Sequence, residues 1–391
     1  MAKSNKVEFA VKLEATPGIA ETLASGDVKV RVRADPTIAP DVSPIDLEEL
    51  RAVSSRSAHL TGIKTIQHTV AYNLRAPASL TTDPAVKDLW KSALFAGSEA
   101  KTIAIGAITA GPFQAGEIIT GGTSAATGMV LQRTLTGSSP LPFIPLTGTF
   151  VTTEVITGGT SGATATSSAG PADGGYAFRP ADPNTDVTGH HVTARLNRDG
   201  FQWTARGSLS DLSWELRNNA QAIVTQNFFG GFASQGDLAL FGLATYPEEN
   251  NTVPRLSNAG IKFGAYAPVG IVTMTLAWPT NPAPVEDANS AAADGVRYFD
   301  FARQLPTLAV QVDQVAAADY DFFSKLRDGE LIPAEATLGS ALAAGNKWTF
   351  AMPAAQLRSI RPDITDPQRA KFTCEFGLTG KNNEELLIWQ H

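Results

Sequence analysis

The amino-acid sequence predicts a mainly β protein with one or two flanking α-helices and a small β-rich insert. Three observations predict it. Apolar residues recur at every second position through most of the chain, only two segments carry apolar residues at helical spacing, and a glycine- and threonine-rich block is written twice. Period-two alternation marks strands with one buried face, because successive side chains of a strand point to opposite sides.

The elements follow in chain order. In "DVKVRVRA", Val28, Val30 and Val32 face one way and Lys29, Arg31 and Arg33 the other, which reads as a half-buried strand. In "IQHTVAYNL", Ile66, Val70, Tyr72 and Leu74 share a row with His68. Between these two lie Pro36, Pro40 and Pro44, which forbid regular pairing and predict a long structureless connection; such connections are commonly functional. In "TDPAVKDLWKSALFAG" a helix is expected, with Asp83 as cap, Pro84 at the first helical position and Gly97 as terminator. Val86, Leu89, Trp90, Ala93 and Leu94 form its apolar stripe. A shorter helix is expected in "DYDFFSKLRDG", ending at Gly329.

Downstream, Asp199-Gly200 supplies a positive-φ turn between two antiparallel strands, one carrying Val192, Ala194 and Leu196, the other Phe201, Trp203 and Ala205. "LSWEL", "GIVTMTLAW" and "TLAVQV" continue the alternation. The closing "KFTCEFGLTGKNNEELLIWQH" reads as a further hairpin with Phe372, Cys374 and Phe376 in one row.

The repeated block aligns "FQAGEIITGGTSAATG" (Phe113 to Gly128) with "FVTTEVITGGTSGATA" (Phe150 to Ala165), an offset of 37 residues. Duplicated units usually stack to share a core that neither builds alone. A phosphate-binding loop needs a lysine after its glycines, and neither copy has one. A nucleophile elbow needs G-x-S-x-G before a helix, whereas "GTSGA" lacks the last glycine. The block is therefore expected to be a structural, decorative or adhesive insertion.

Composition narrows the function classes. At 391 residues, two compact units or one core with a large insertion are expected. A formal charge of −7 argues against a protein that gains affinity by neutralising phosphates. Cys374 is the only cysteine, which excludes an intrachain disulfide framework and cysteine-rich metal sites. The start shows no secretory signal, so synthesis in a cytoplasm is expected, and "FGAYAPVGIVTMTLAW" reads as a buried strand, not a membrane span.

The candidate catalytic groups do not converge. His59, His68, His190, His191 and His391 lack metal-ligand spacing. His190 and His191 fall on opposite faces of a strand, one expected in solvent and one in the core, and His68 reads as a hydrogen-bonded core histidine. The pairs Glu48-Glu49, Glu248-Glu249 and Glu384-Glu385 read as solvated charge, the sequon at Asn250 needs a secretory route to matter, and the six tryptophans read as core.

The opening "EATPGIAETLASGDVKVRV", the pair "TGIKTIQHTVAYNLR" and "DPAVKDLWKSALFAG", the block "VTARLNRDGFQWTARGSLSDLSWEL" followed by "FFGGF", and the closing "FTCEFGLTGKNNEELLIW" together resemble the tail tube (major tail) proteins of long-tailed bacteriophages. The order of these short motifs carries the resemblance. It covers residues 1–98 and 176–391 as two parts of a tail tube core, and leaves 99–175 as an inserted β-rich domain with the internal duplication.

The resemblance implies a β-sandwich or barrel with a flanking helix, in chains that form rings, commonly hexameric, stacked into a tube with a continuous inner barrel. It implies a structural virion protein of the tail, not an enzyme, with no cofactor, made in the host bacterial cytoplasm. A tape measure protein and tail terminator and baseplate proteins would be its partners. DNA would pass through during ejection without specific binding, and no membrane is involved. The proline-broken segment 34–60 becomes a candidate inter-subunit arm, with Asp35, Pro36, Pro40, Pro44, Glu48, Glu49 and Arg51 as its site residues. Either 192–206 or 28–33 would line the lumen, and in the second case Arg31 and Arg33 would bring positive charge to it. A virion adhesin or carbohydrate-binding decoration protein working through the insert is the alternative. A cell-wall hydrolase is a third reading, for which the sequence nominates no carboxylate.

Overall fold

Strand residues make up 55% of the chain and helical residues 5%, so the fold is mainly β, as the alternation predicts. The computed structural model describes residues 6–391 apart from 34–35, 46–59, 136–139, 183–188, 219, 243–245, 247–252, 257–259, 269, 272, 290–294, 303–304, 340–341, 364–369 and 382. The first part contributes Val7–Leu13 (β1), Thr37–Ile45 (β2), Leu60–Asn73 (β3), the helix Lys87–Lys91 (α1) and Phe95–Ile103 (β4). Ile118–Gly121 (β5), Thr127–Val130 (β6), Leu141–Thr147 (β7), Val155–Gly158 (β8) and Thr164–Thr166 (β9) build the insert. Ala172–Pro180 (β10) returns to the main body, followed by Val192–Arg198 (β11), Phe201–Arg217 (β12), Ile223–Asp237 (β13), Lys262–Phe263 (β14) and Thr273–Trp278 (β15). The chain ends with Pro282–Glu286 (β16), Val296–Phe301 (β17), Thr307–Asp313 (β18), the helix Phe322–Asp328 (α2), Leu331–Leu338 (β19), Trp348–Asp363 (β20), Lys371–Thr379 (β21) and Leu387–Gln390 (β22).

Two long strands act as branch points. β12 pairs with β13 along one edge, while its other edge is shared between β11 in the first half and β15 in the second. β20 gives one edge to β19 and divides the other between β22 and β21. One arm of the network is a six-stranded antiparallel sheet in the order β2-β3-β13-β12-β11-β1. The other runs β15-β18-β21-β20-β22-β10-β4. Apolar rows of both face one core, in which Phe9, Val70 and Phe228 belong to the first arm and Phe350, Cys374 and Phe376 to the second.

α1 plugs that core. Trp90 is fully buried, with its ring 4.7 Å from Phe178 and 5.5 Å from both Trp214 and Trp348. Truncating such a side chain costs about 3–5 kcal/mol, transfer and cavity together. Its indole N–H donates to the Tyr72 hydroxyl (2.9 Å), which donates to Gln226 (3.0 Å). The Gln226 amide then donates to the Leu89 carbonyl (2.8 Å) and the Ser210 hydroxyl (2.7 Å). A satisfied polar chain of this kind fixes how the helix sits on β3, β12 and β13.

Several expectations hold locally. Asp199 and Gly200 take φ values of 49° and 97°, closing the β11–β12 hairpin. α2 is capped by Asp321, whose carboxylate accepts from the Phe323 and Ser324 amides, and ends at Gly329 with φ 63°. Others need correction. Residues 28–33 are not a strand: Val28 and Val30 are buried, but only Val32 bridges to Tyr72, because the antiparallel direction carries the residues before it past Asn73, where β3 ends. α1 is shorter than its pattern suggests. Asp83 binds the Lys87 ammonium instead of capping, and Leu94, at φ 62°, ends the turn. Gly97 lies within β4, where a Cβ would sit 2.7 Å from the Tyr176 ring. β21 and β22 do not form a hairpin either; they lie end to end along the same edge of β20.

The boundaries drawn at 98/99 and 175/176 fall inside β4 and β10, which pair from Phe95–Pro180 to Thr102–Ala172. A separate apolar cluster begins beyond them, from Ile103 to Ala165. A third cluster joins the two bodies, with Met129, Leu131 and Ile144 of the insert against Ala177, Leu387 and Trp389 of the main body.

Candidate functional site

The candidate arm is a paired ribbon, which corrects the expectation that its prolines forbid pairing. β2 runs antiparallel to β3 from Thr37–Thr69 to Ile45–Leu60, with Pro40 opposite Ile66 and Pro44 opposite Thr61. The physical reason is parity. Pro40 and Pro44 are four residues apart, so both ring nitrogens face the same edge, away from β3, where no ladder bond is lost. Their spacing makes β2 an edge strand and removes donors from its open side, a known guard against unintended strand addition. Thr37, Ala39 and the stretch Pro40 to Pro44 are exposed, with Val42 at 43%, whereas Pro36 is buried at the root. Asp35, Glu48, Glu49 and Arg51 lie outside the described residues.

The far end of the same sheet is β1, which pairs with β11 alone among the described residues. The six-stranded sheet thus has two margins of different character. One is exposed and blunted by proline; the other carries no further strand among the described residues, and Glu8 to Val11 are buried within the chain.

The duplicated block resolves into a reciprocal lock. The Glu117 carboxylate of the first copy accepts from the Thr160 amide (3.2 Å), the Ser161 amide (2.9 Å) and the Ser161 hydroxyl (2.9 Å) of the second. Glu154 of the second copy accepts from Thr123 (3.3 Å), the Ser124 amide (3.0 Å) and the Ser124 hydroxyl (2.8 Å) of the first. Burial works against the charge of Glu154, but the amides of Ser124, Val151 and Thr123 and the Ser124 hydroxyl outweigh it and hold the carboxyl below its ordinary value. The glycine pair has a reason too. A Cβ at Gly121 would lie 2.5 Å from Glu154 Oε2, and one at Gly158 would lie 2.7 Å from Glu117 Oε2. The turn amides and serine hydroxyls that resemble an anion cradle or a nucleophile are engaged by the protein's own carboxylates.

The remaining titratable groups are held apart. His68 is fully buried, its ring nitrogens have no hydrogen-bond partner among the described residues, and burial pushes it down to about 3. It is a core histidine, but not the hydrogen-bonded one expected. His190 is buried, not solvated, and binds the Lys91 carbonyl (2.8 Å); His191 binds the Phe299 carbonyl (2.8 Å) on the opposite face. Asn250 and the pairs Glu48-Glu49 and Glu248-Glu249 lie outside the described residues. Among the described residues no group of three His, Cys, Asp or Glu is placed to hold a metal ion. No helix among them is long and apolar enough to cross a membrane.

A cleft of about 740 Å³ separates the insert from the main body, lined by Ile118, Arg133 and Leu135 on one side and Lys262, Met352 and Lys381 on the other. Burial raises the Glu335 carboxyl on its wall, opposed by a hydrogen bond from Gln132 and by the charges of Lys262 and Arg133. That carboxylate is engaged by Gln132, which leaves it a structural acceptor.

Sequence reasoning missed the lock, although the signal was present: a glutamate four residues after phenylalanine is retained in both copies. What could not be read was that each glutamate serves the other copy. No protein-family model matches this chain, and no curated protein matches it.

Proposed function

We propose that this chain is a structural subunit that self-assembles into stacked rings forming the tail tube of a long-tailed bacteriophage, the conduit for DNA ejection. The observation that supports the reading most is the β2–β3 ribbon at one margin of the six-stranded sheet, exposed along Pro40 to Pro44 in a single chain. Ring closure would cover such a margin. The net charge of −7 per subunit suits a conduit that does not retain DNA. In this reading the ribbon engages a neighbour through side chains, since its prolines remove donors. Electron microscopy of the concentrated protein is expected to show rings or tubes. A strictly monomeric species under those conditions and in particles would overturn the proposal.

A second reading is an adhesin working through the insert. It is favoured by large aliphatic side chains exposed there, Leu135 at 54%, Val155 at 48% and Val151 at 43%. Glycan-array binding that disappears on deleting 105–170 while assembly survives would support it.

A further inference from the structure

We infer that each repeat of the insert is half of an obligate pair, a module whose partner surface is a copy of itself, and that this chain carries the resulting dimer closed within one polypeptide. The contact has the form of an isologous interface, in which residue i meets j and j meets i. The 37-residue offset makes Thr120 equivalent to Thr157, and these two face each other across β5 and β8. Ile119 faces Gly158 and Gly121 faces Ile156, one contact seen from both sides. The backbone follows the same rule: the Gly122 amide donates to Val155 (2.8 Å) and the Gly159 amide to Ile118 (2.9 Å). The reciprocal carboxylates of Glu117 and Glu154 complete the two-fold relation.

Flanking strands are exchanged as well. β7, just ahead of the second repeat, pairs with β6, at the end of the first. On the other side Ile105 and Thr109, ahead of the first repeat, bridge to Ser167 and Thr164 at the end of the second. Each repeat keeps its own hairpin, β5–β6 or β8–β9, and takes the segments paired on either side of it and the acceptor for its turn from the other. A lone hairpin is marginal in water. The shared cluster holds Phe113 and Ile119 beside their equivalents Phe150 and Ile156, so neither copy has a core without the other. Closure within the chain occupies the self-pairing face, and the insert decorates its subunit without bridging it to another.

Cross-linking at the two-fold axis tests this in the full chain. Thr120 is exposed, and Cys374, the only native cysteine, is buried. With Thr120→Cys alone, position 120 faces Thr157 of its own chain, so a short bis-maleimide is expected to give only the minor, concentration-dependent 120-to-120 product of random collision. Adding Gly158→Val places atoms against Ser161 Oγ and Glu117 Oε2 and expels Glu117 from the second turn. First repeats of two chains are then expected to pair with each other, making the covalent dimer the major product. Thr157→Pro in place of Gly158→Val breaks the strand pair at its axis and is expected to do the same. Glu117→Ala added to either variant should abolish the product. The proposal is overturned if neither variant gives a 120-linked dimer, whether its insert stays folded or not, if Thr120→Cys alone gives the same yield, or if the dimer survives Glu117→Ala. Because mass spectrometry reads the linked position, ring assembly elsewhere in the chain does not confuse the outcome.

Discussion

The insert and the β2–β3 ribbon solve the same problem in opposite ways. Both are antiparallel β elements projecting from the main core, and both would be marginal if isolated. The insert closes on itself: two copies of one sequence supply each other's strands, apolar contacts and hydrogen-bond acceptors. The ribbon does not close; it exposes Val42 and the surrounding residues and guards its margin with Pro40 and Pro44. A β element completed within its chain is a stable decoration, whereas one left incomplete is a surface that assembly can cover.

The largest effect should come from the body that supports both. Trp90→Ala is expected to cost about 4 kcal/mol in urea denaturation and to release insert and ribbon together. An effect confined to the insert would show that its core, not the main one, carries that residue's contribution.

Glu154→Ala should sharpen the contrast. It strands the donors of Thr123, Ser124 and Val151, at about 3 kcal/mol. Hydrogen exchange should quicken at the Thr123 and Ser124 amides while the ribbon is unchanged. Because the folded carboxyl lies below its ordinary value, its contribution is complete above the unfolded value, about pH 4, and is lost as pH falls through the folded one. Acid should therefore loosen the insert, and Glu154→Gln should remove that step.

At the ribbon's root, His68 opposes Ile38 and stays neutral down to about pH 3, whereas the unfolded chain protonates it near 6.5. Its stabilising effect is complete above 6.5 and lost as pH falls toward 3, by up to ~1.4 kcal/mol per pH unit. By pH 5 the loss is about 2 kcal/mol, and His68→Leu should flatten that slope in denaturation curves. An unchanged slope would mean that other groups control it.

The smallest change in stability, within about 0.5 kcal/mol, is expected for Pro40→Val with Pro44→Val, since both side chains are exposed. Restoring the outward donors should nevertheless raise non-specific association in light scattering. No increase would show that the prolines serve the arm's shape and not its edge.

Much of the fold was legible in the sequence because it rests on local rules. Alternation located β3, β12, β15, β18 and β21, Asp199-Gly200 located a hairpin, and Asp321 and Gly329 bounded α2. Failures came where a neighbour decides. Val28 to Arg33 alternates like a strand but runs past the end of β3, Gly97 makes room for Tyr176 instead of ending a helix, and β21 and β22 share β20 instead of pairing. Of the arm, the proline spacing was legible, but its meaning depended on which side β3 lies.

By itself the sequence determined which residues alternate, where turns with positive φ occur, that one block is duplicated, and that the charge is net negative. These follow from side-chain chemistry and backbone sterics within a few residues. Only the tertiary structure decided that the two glutamates cap each other's turns, that the prolines face outward, and that β1 and β2 end the sheet. Such facts depend on which strand lies beside which, and partners such as Glu117 and Ser161 are brought together only when the whole chain has folded.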